Sequence, residues 1–201
     1  YAIIGMLALV VAVAVIVMNQ RGETTMVNDV LARAKIINDD GKLQDGIEIT
    51  REELEGVLKR TTNASTTENR ALLLKVMAYA KEKGGYDANS VILDHVTTVK
   101  CPQSIRADIF KTVMSRRKDV KNIAPLLEYA SSTTEELSAA EAIHAARYSA
   151  IGQSADSYID DFLSLIDSTD SASVRRASEL AAQTIISESE NKSEFEPFIH
   201  G

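Results

Sequence analysis

Residues 1–18 read YAIIGMLALVVAVAVIVM, a run with no charge and no polar stripe, and Asn19-Gln20-Arg21 ends it abruptly. Beyond that point apolar positions recur at helical spacing, and no stretch of any length alternates as a strand would. As an α-helix the opening run is roughly 27 Å long, close to the hydrocarbon thickness of a bilayer. A signal-peptide core is shorter, about 7–15 residues, and precedes a small-x-small cleavage site. Ile16-Val17-Met18-Asn19-Gln20 offers none. A helix buried in a globular core would show a polar edge somewhere along its turns. The pattern therefore predicts one transmembrane helix over 1–19, with Tyr1 at an interface.

Residues 20–50 read as a juxtamembrane amphipathic helix and linker. The helix spans about 25–38, with Met26, Val27, Val30, Leu31, Ala34 and Ile37 on one face, and Asp39-Asp40-Gly41 stop it. Further along, Thr50/Glu53, Ser65/Glu68 and Thr133/Glu136 have the spacing of capping boxes. Pro102 falls where a helix would begin, and Gly84 and Gly152 where helices would end.

Set side by side, the helices repeat as pairs. Each first helix carries an apolar i, i+4 pair: Leu54/Leu58, Ile92/Val96, Ile123/Leu127 and Ile159/Leu163, whose first members lie 38, 31 and 36 residues apart. Each second helix opens on a two-residue anchor: Asn69-Arg70, Ile105-Arg106, Leu137-Ser138 and Val174-Arg175, spaced 36, 32 and 37 apart. A single antiparallel pair of this length cannot cover its own apolar face, so neighbours must stack and share a core. The expectation is all-α: an N-terminal transmembrane helix, then about four helix pairs over 51–187, then a tail at 188–201. Phe195 and Ile199 continue the spacing, so 188–201 reads either as the start of a further pair or as a frayed polar tail.

These units resemble HEAT repeats of the armadillo-like α-solenoid class. The fourth carries the resemblance best, with Tyr158-Ile159-Asp160-Asp161-Phe162-Leu163 followed by Asp170-Ser171-Ala172-Ser173-Val174-Arg175-Arg176. The third has a proline, Pro125, in its first helix, but lacks the Arg at Leu137-Ser138. The resemblance implies an α-solenoid in which Asp170, Arg175, Arg106 and Arg70 join neighbouring repeats in a ladder. It specifies a shape and leaves activity open.

Composition narrows the chemistry. The 201 residues hold 22 Lys+Arg against 29 Asp+Glu, a net charge of −7, which argues against a general nucleic-acid binder. A HEAT-like DNA-repair glycosylase would want a wide basic groove and aromatic stacking residues, and this chain has no Trp. One cysteine excludes an intrachain disulfide framework.

Candidate sites are few. Asp39-Asp40-Gly41 and Asp45-Gly46 resemble a calcium loop, but with Gly46 at the glycine position Gly41 and Leu43 fall where ligands are needed. They read as a turn. His95, His144 and His200 are not followed by Glu, so the paired ligands of HEAT-type di-iron hydroxylases are missing; no metal and no cofactor is expected. Cys101 precedes Pro102 at a helix start, where the helix dipole could lower its pKa, though a place in a tight turn is the simpler reading. Thr61-Thr62 and Ser131-Ser132-Thr133-Thr134 read as caps without nucleophile–base spacing. Lys111, Arg116, Arg117, Lys118 and Lys121 form the densest basic stretch. It is a candidate anionic docking patch for lipid headgroups or an acidic partner, against the plainer reading of a solvated turn between repeats.

The functional expectation is a non-enzymatic, membrane-anchored helical-repeat scaffold, an accessory or assembly subunit of a larger membrane complex. Its partners would be other subunits, met through the transmembrane helix and the solenoid surface, and membrane lipid, but no nucleic acid. Gly5, Ala8, Ala12 and Ala14 would let another membrane helix approach closely. The alternatives are a tethered adaptor for soluble partners, or a ligand sensor or enzyme with an unrecognised site. Arg21, Arg33 and Lys35 argue for a cytoplasmic body. Export of the domain after a single N-terminal anchor, common in bacterial inner membranes, argues for an extracytoplasmic one, which is the expectation adopted.

Overall fold

A computed structural model of the chain describes residues 22–34, 47–63, 67–98, 101–151 and 156–188. The expectations placed on 1–19, Ile37, residues 39–46, the Ser65/Glu68 side chains, Gly152 and 195–200 lie outside the described residues.

Among the described residues the chain forms nine α-helices packed on one core. Helix α1 (22–34) turns Val27, Val30 and Ala34 inward, as its spacing predicts, with Met26 and Leu31 packed against the same core. Then follow α2 (Arg51–Thr62), α3 (Thr67–Tyr79) and α4 (Ala88–Thr98). Helix α5 (Gln103–Ile109) runs directly into a π turn (Phe110–Met114). The remaining helices are α6 (Ile123–Ser132), α7 (Glu136–Ala150), α8 (Ile159–Ser168) and α9 (Ala172–Glu188).

Local chemistry sets several boundaries. Thr50 caps α2 in a reciprocal box: its Oγ1 accepts from the Glu53 N–H at 3.3 Å, and Glu53 Oε2 accepts from the Thr50 N–H at 2.8 Å. The box expected at Thr133/Glu136 does not form. Glu135 is the N-cap of α7, and Thr133 Oγ1 instead accepts the Glu135 N–H at 3.2 Å, which makes a turn before the helix. Pro102 is the N-cap of α5 rather than its first residue.

The expectation of no strand is corrected by a short parallel ladder. Glu48–Ile49 (β1) pairs with Lys81–Glu82 (β2), closed by Lys81 N–H to Ile47 O and Lys83 N–H to Ile49 O, each 2.9 Å. Two residues per strand are too few to show any alternation in sequence. The same ladder explains Gly84, which does not end a helix. Gly84 and Gly85 have φ of 104° and 72°, a left-handed turn that releases the chain from β2 toward α4. Tyr86 then donates its hydroxyl to Ile49 O at 3.1 Å and fastens this corner.

Helices pack in sequence order. The first helices touch serially, α2 with α4, α4 with α6 and α6 with α8. Along the other side α3 meets the π turn, α5 and the π turn meet α7, and α7 meets α9. Leu54, Leu58, Ile92, Val96, Ile123 and Ile159 of the predicted i, i+4 pairs are fully buried or nearly so, Leu127 is buried at the edge, and Leu163 packs against the core. Burying each such side chain contributes about 1.5–3 kcal/mol. Alanines dominate the inward faces of α7 (Ala139, Ala142, Ala146) and α9 (Ala177, Ala181, Ala182), and small side chains let the two helices approach closely.

One expected anchor is out of register. Leu137 is 51% exposed, whereas Ser138 is fully buried. The reason is polar: Ser138 Oγ lies 2.8 Å from the Tyr129 hydroxyl and 3.0 Å from Glu135 Oε2, so the inward slot of α7 is filled by a hydrogen-bonding residue.

Candidate functional site

Two surfaces emerge, a basic end and a furrow along the first helices, and a row of interhelical bonds runs along the second helices. The basic stretch begins in the π turn and runs through 115–121. Arg117, counted with the surface patch from sequence, points inward and its side chain is only 9% exposed. Its guanidinium donates to Met77 O at 3.2 Å, Ala80 O at 2.8 Å and Asn89 Oδ1 at 2.6 Å, and pairs with Glu82. It thus ties the C-terminus of α3, strand β2 and the start of α4 together. The two carbonyls it caps are helix-end groups that would otherwise lack partners. Arg116 is exposed and lies over the Tyr79 ring, 5.4 Å from its centroid, with Nη1 donating to the phenol oxygen at 2.6 Å. Lys111, Lys118 and Lys121 are exposed.

The partners Tyr79, Glu82 and Asn89 were not visible in the sequence reading, nor was the fact that Lys81 and Lys83 share this end. The available signal was Lys81-Glu82-Lys83 before Gly84-Gly85, a charged edge followed by a turn. Tyr86 beside it has its pKa pushed up to about 12, by burial first and then by the Glu82 charge.

The furrow follows the first helices. A cavity of about 710 Å3 between α2 and α4, with Glu55, Tyr86 and His95 in its wall, meets another of about 430 Å3 between α4 and α6, walled by Pro125, Glu128 and Tyr129. Ser90 and Asp94 border both. His95 Nε2 lies 3.1 Å from Thr62 Oγ1, which is also 3.0 Å from Leu58 O. With the Thr62 proton directed at Leu58 O, the histidine nitrogen is the donor; with it directed at the ring, Nε2 accepts. Burial lowers the His95 pKa in spite of Asp94 and Glu55 nearby.

His144 sits on α7, away from His95; burial lowers its pKa, and its Nδ1 is buried without a hydrogen-bond partner. Among the described residues no group of three or more His, Cys, Asp or Glu is placed to hold a metal ion. Cys101 is buried just ahead of α5 with its thiol 3.7 Å from Pro102 O; burial pushes the thiol up, opposite to the lowering a helix dipole would give.

Polar bonds link each second helix to the next. Arg70 of α3 lies 3.7 Å from Asp108 of α5, Arg106 of α5 pairs with Glu135 at the cap of α7, and Ser173 of α9 reaches Glu136 of α7 at 3.4 Å. Arg106 and Arg70 therefore do link neighbouring pairs. Arg175 behaves differently: it donates to Thr169 O at 2.8 Å within its own unit.

No protein-family model, no curated protein and no solved structure matches the chain. Among the described residues no helix is long and apolar enough to cross a membrane.

Proposed function

We propose that the chain is a membrane-anchored helical-repeat scaffold without catalytic activity, an accessory or assembly subunit of a larger membrane protein complex. The supporting observation is serial packing: first helix on first helix, second on second, with an interhelical bond at each step along the second helices. That arrangement extends by repetition, sets adjoining pockets between successive first helices, and is the one a HEAT-like solenoid would have. The apolar run at 1–18 supplies the anchor. Exposed Leu137, Leu180 and Tyr148 on the second helices add apolar contact area for a partner.

Copurification from gently solubilised membranes tests the reading. Integral-membrane partners should be recovered in stoichiometric amounts, and a carbonate wash should leave the chain in the membrane. Recovery with soluble proteins alone would favour a tethered adaptor instead. Release by carbonate would remove the anchor.

A further inference from the structure

We propose that the end of the molecule formed by residues 81–83 and the 115–121 turn rests on an anionic bilayer surface. The proposal builds on the anchor reading, which alone places this body beside lipid.

Fold topology assembles the surface from two segments that are distant in sequence. Arg117 joins them: by pairing with Glu82 and capping Ala80 O, it fixes β2 against the 115–121 turn. Lys81, Lys83, Arg116, Lys118 and Lys121 are then all exposed at one end. Segments 81–87 and 115–121 carry six cations and three carboxylates, in a chain whose net charge is −7.

Each of those carboxylates is already engaged. Glu82 binds Arg117, Asp87 accepts the N–H groups of Asn89 and Ser90, and Asp119 accepts the Lys121 N–H at 3.0 Å. Hydrogen bonds from backbone N–H groups do not cancel a carboxylate's charge, and exposed Glu48 lies across the ladder from Lys81. Six cations against four carboxylates still leave this end at +2, opposite in sign to the chain as a whole, so the rest of an acidic chain is repelled by the surface that attracts this end. Attraction and repulsion together orient the body, as well as hold it. Tyr79, 38% exposed beneath Arg116, adds an amphipathic ring of the kind found at headgroup depth. Lys111 lies in the π turn, ahead of the 115–121 segment, and its charge adds to the lowering of the His144 pKa.

The experiment uses the full chain in lipid nanodiscs and measures acylation of individual lysines by mass spectrometry. In discs with about 30% phosphatidylglycerol, Lys81, Lys83, Lys118 and Lys121 should react about threefold more slowly than in phosphatidylcholine discs. Lys59, on α2, should be unchanged. The protection should vanish in about 0.5 M NaCl. A variant with Lys81, Lys83, Lys118 and Lys121 changed to Arg should keep the composition-dependent protection of Tyr79 from iodination, and one with the same four changed to Ser should lose it. Equal lysine reactivity in the two lipids, with the chain still anchored, overturns the proposal and leaves an acidic protein as the partner to seek. If carbonate strips the chain, the anchor reading fails separately. The stripped chain is then floated with phosphatidylglycerol vesicles: flotation sustains the surface, and its absence overturns it.

Discussion

Arg106 of α5 reaches the Glu135 carboxylate at the cap of α7 and the Tyr129 hydroxyl of α6 at the same time, so one guanidinium joins three helices. Phe110 backs the junction, its ring centroid 5.1 Å from that of Tyr129. Burial alone would raise the Glu135 pKa, but hydrogen bonds from Ser138 and Arg106, with the Arg106 charge, outweigh it and hold the carboxyl below its ordinary value. The contribution is present above the unfolded-state value and is lost as pH falls through the folded one.

Arg106→Ala should therefore destabilise the fold by about 2 kcal/mol, because it strips partners from a buried phenol and a partly buried carboxylate. Ser138→Ala should cost about 1 kcal/mol, since Tyr129 keeps Arg106. Urea unfolding at neutral pH reads both. Equal stability of Arg106→Ala and the unmodified chain would remove this junction from the list of stabilising contacts.

Arg117→Lys should fail to replace arginine. Four acceptors surround the Arg117 guanidinium in different directions, and a lysine ammonium on a flexible stem cannot meet a planar fork's partners. A loss of about 2–3 kcal/mol is expected for Arg117→Lys and slightly more for Arg117→Ala. By contrast Lys118→Ser, on the exposed neighbour, should change stability by less than about 0.5 kcal/mol. Paired denaturation curves make the comparison.

How far these contacts could be read in advance depended on their range. Helical spacing put Val27, Val30, Leu54, Leu58, Ile92 and Val96 inside, because burial of an amphipathic face leaves its period in the sequence. The interhelical role of Arg106 came from the repeat and the family resemblance. The β1–β2 ladder left no period, being two residues per strand, and its register comes from a segment 33 residues away. Ser138 displaced Leu137 from the inward slot through a network with Tyr129 and Glu135, a tertiary effect that hydrophobic pattern does not encode. Arg117 is indistinguishable in sequence from a surface cation, because nothing local marks an arginine whose acceptors lie 28–40 residues earlier.

Two half-buried histidines give a pH dependence of definite sign. His95 and His144 both have pKa values lowered by burial below the ordinary value of about 6.5. The unfolded chain therefore takes up protons first as pH falls, so stability is greatest above about 7.5 and declines as pH drops through about 6.5 toward the folded-state values. Glu55 and Asp94 beside His95, and Glu141 beside His144, moderate the decline; Arg147 and Lys111 reinforce it at His144. Urea midpoints between about pH 8 and 5.5 should fall in the parent and flatten in the His95→Gln/His144→Gln variant, where the glutamine amide can still hydrogen-bond to Thr62. A parent profile that rises on acidification would contradict the burial argument.

Gly56 controls how the segment following the apolar run joins the body. A Cβ at Gly56 would lie 2.6 Å from Met26 Cε and 3.2 Å from Val27 Cγ2. The Met26 methyl ends a flexible side chain and can swing aside, while Val27 must yield by a few tenths of an ångström. Gly56→Ala also gains up to about 1 kcal/mol of helix propensity, so its net effect should stay within about 1 kcal/mol of zero. Gly56→Leu has no such escape, and overpacking should expel α1 from α2 at a cost of about 2–3 kcal/mol. The polar contacts holding α1, Arg33 with Glu53, Lys59 with Glu23 and Arg60 with Asn28, are exposed or half-exposed and too weak to retain it. Hydrogen exchange should then show residues 26–34 losing protection in Gly56→Leu while α7 and α9 keep theirs. Uniform loss across all helices would mean instead that α1 unfolds only together with the whole core.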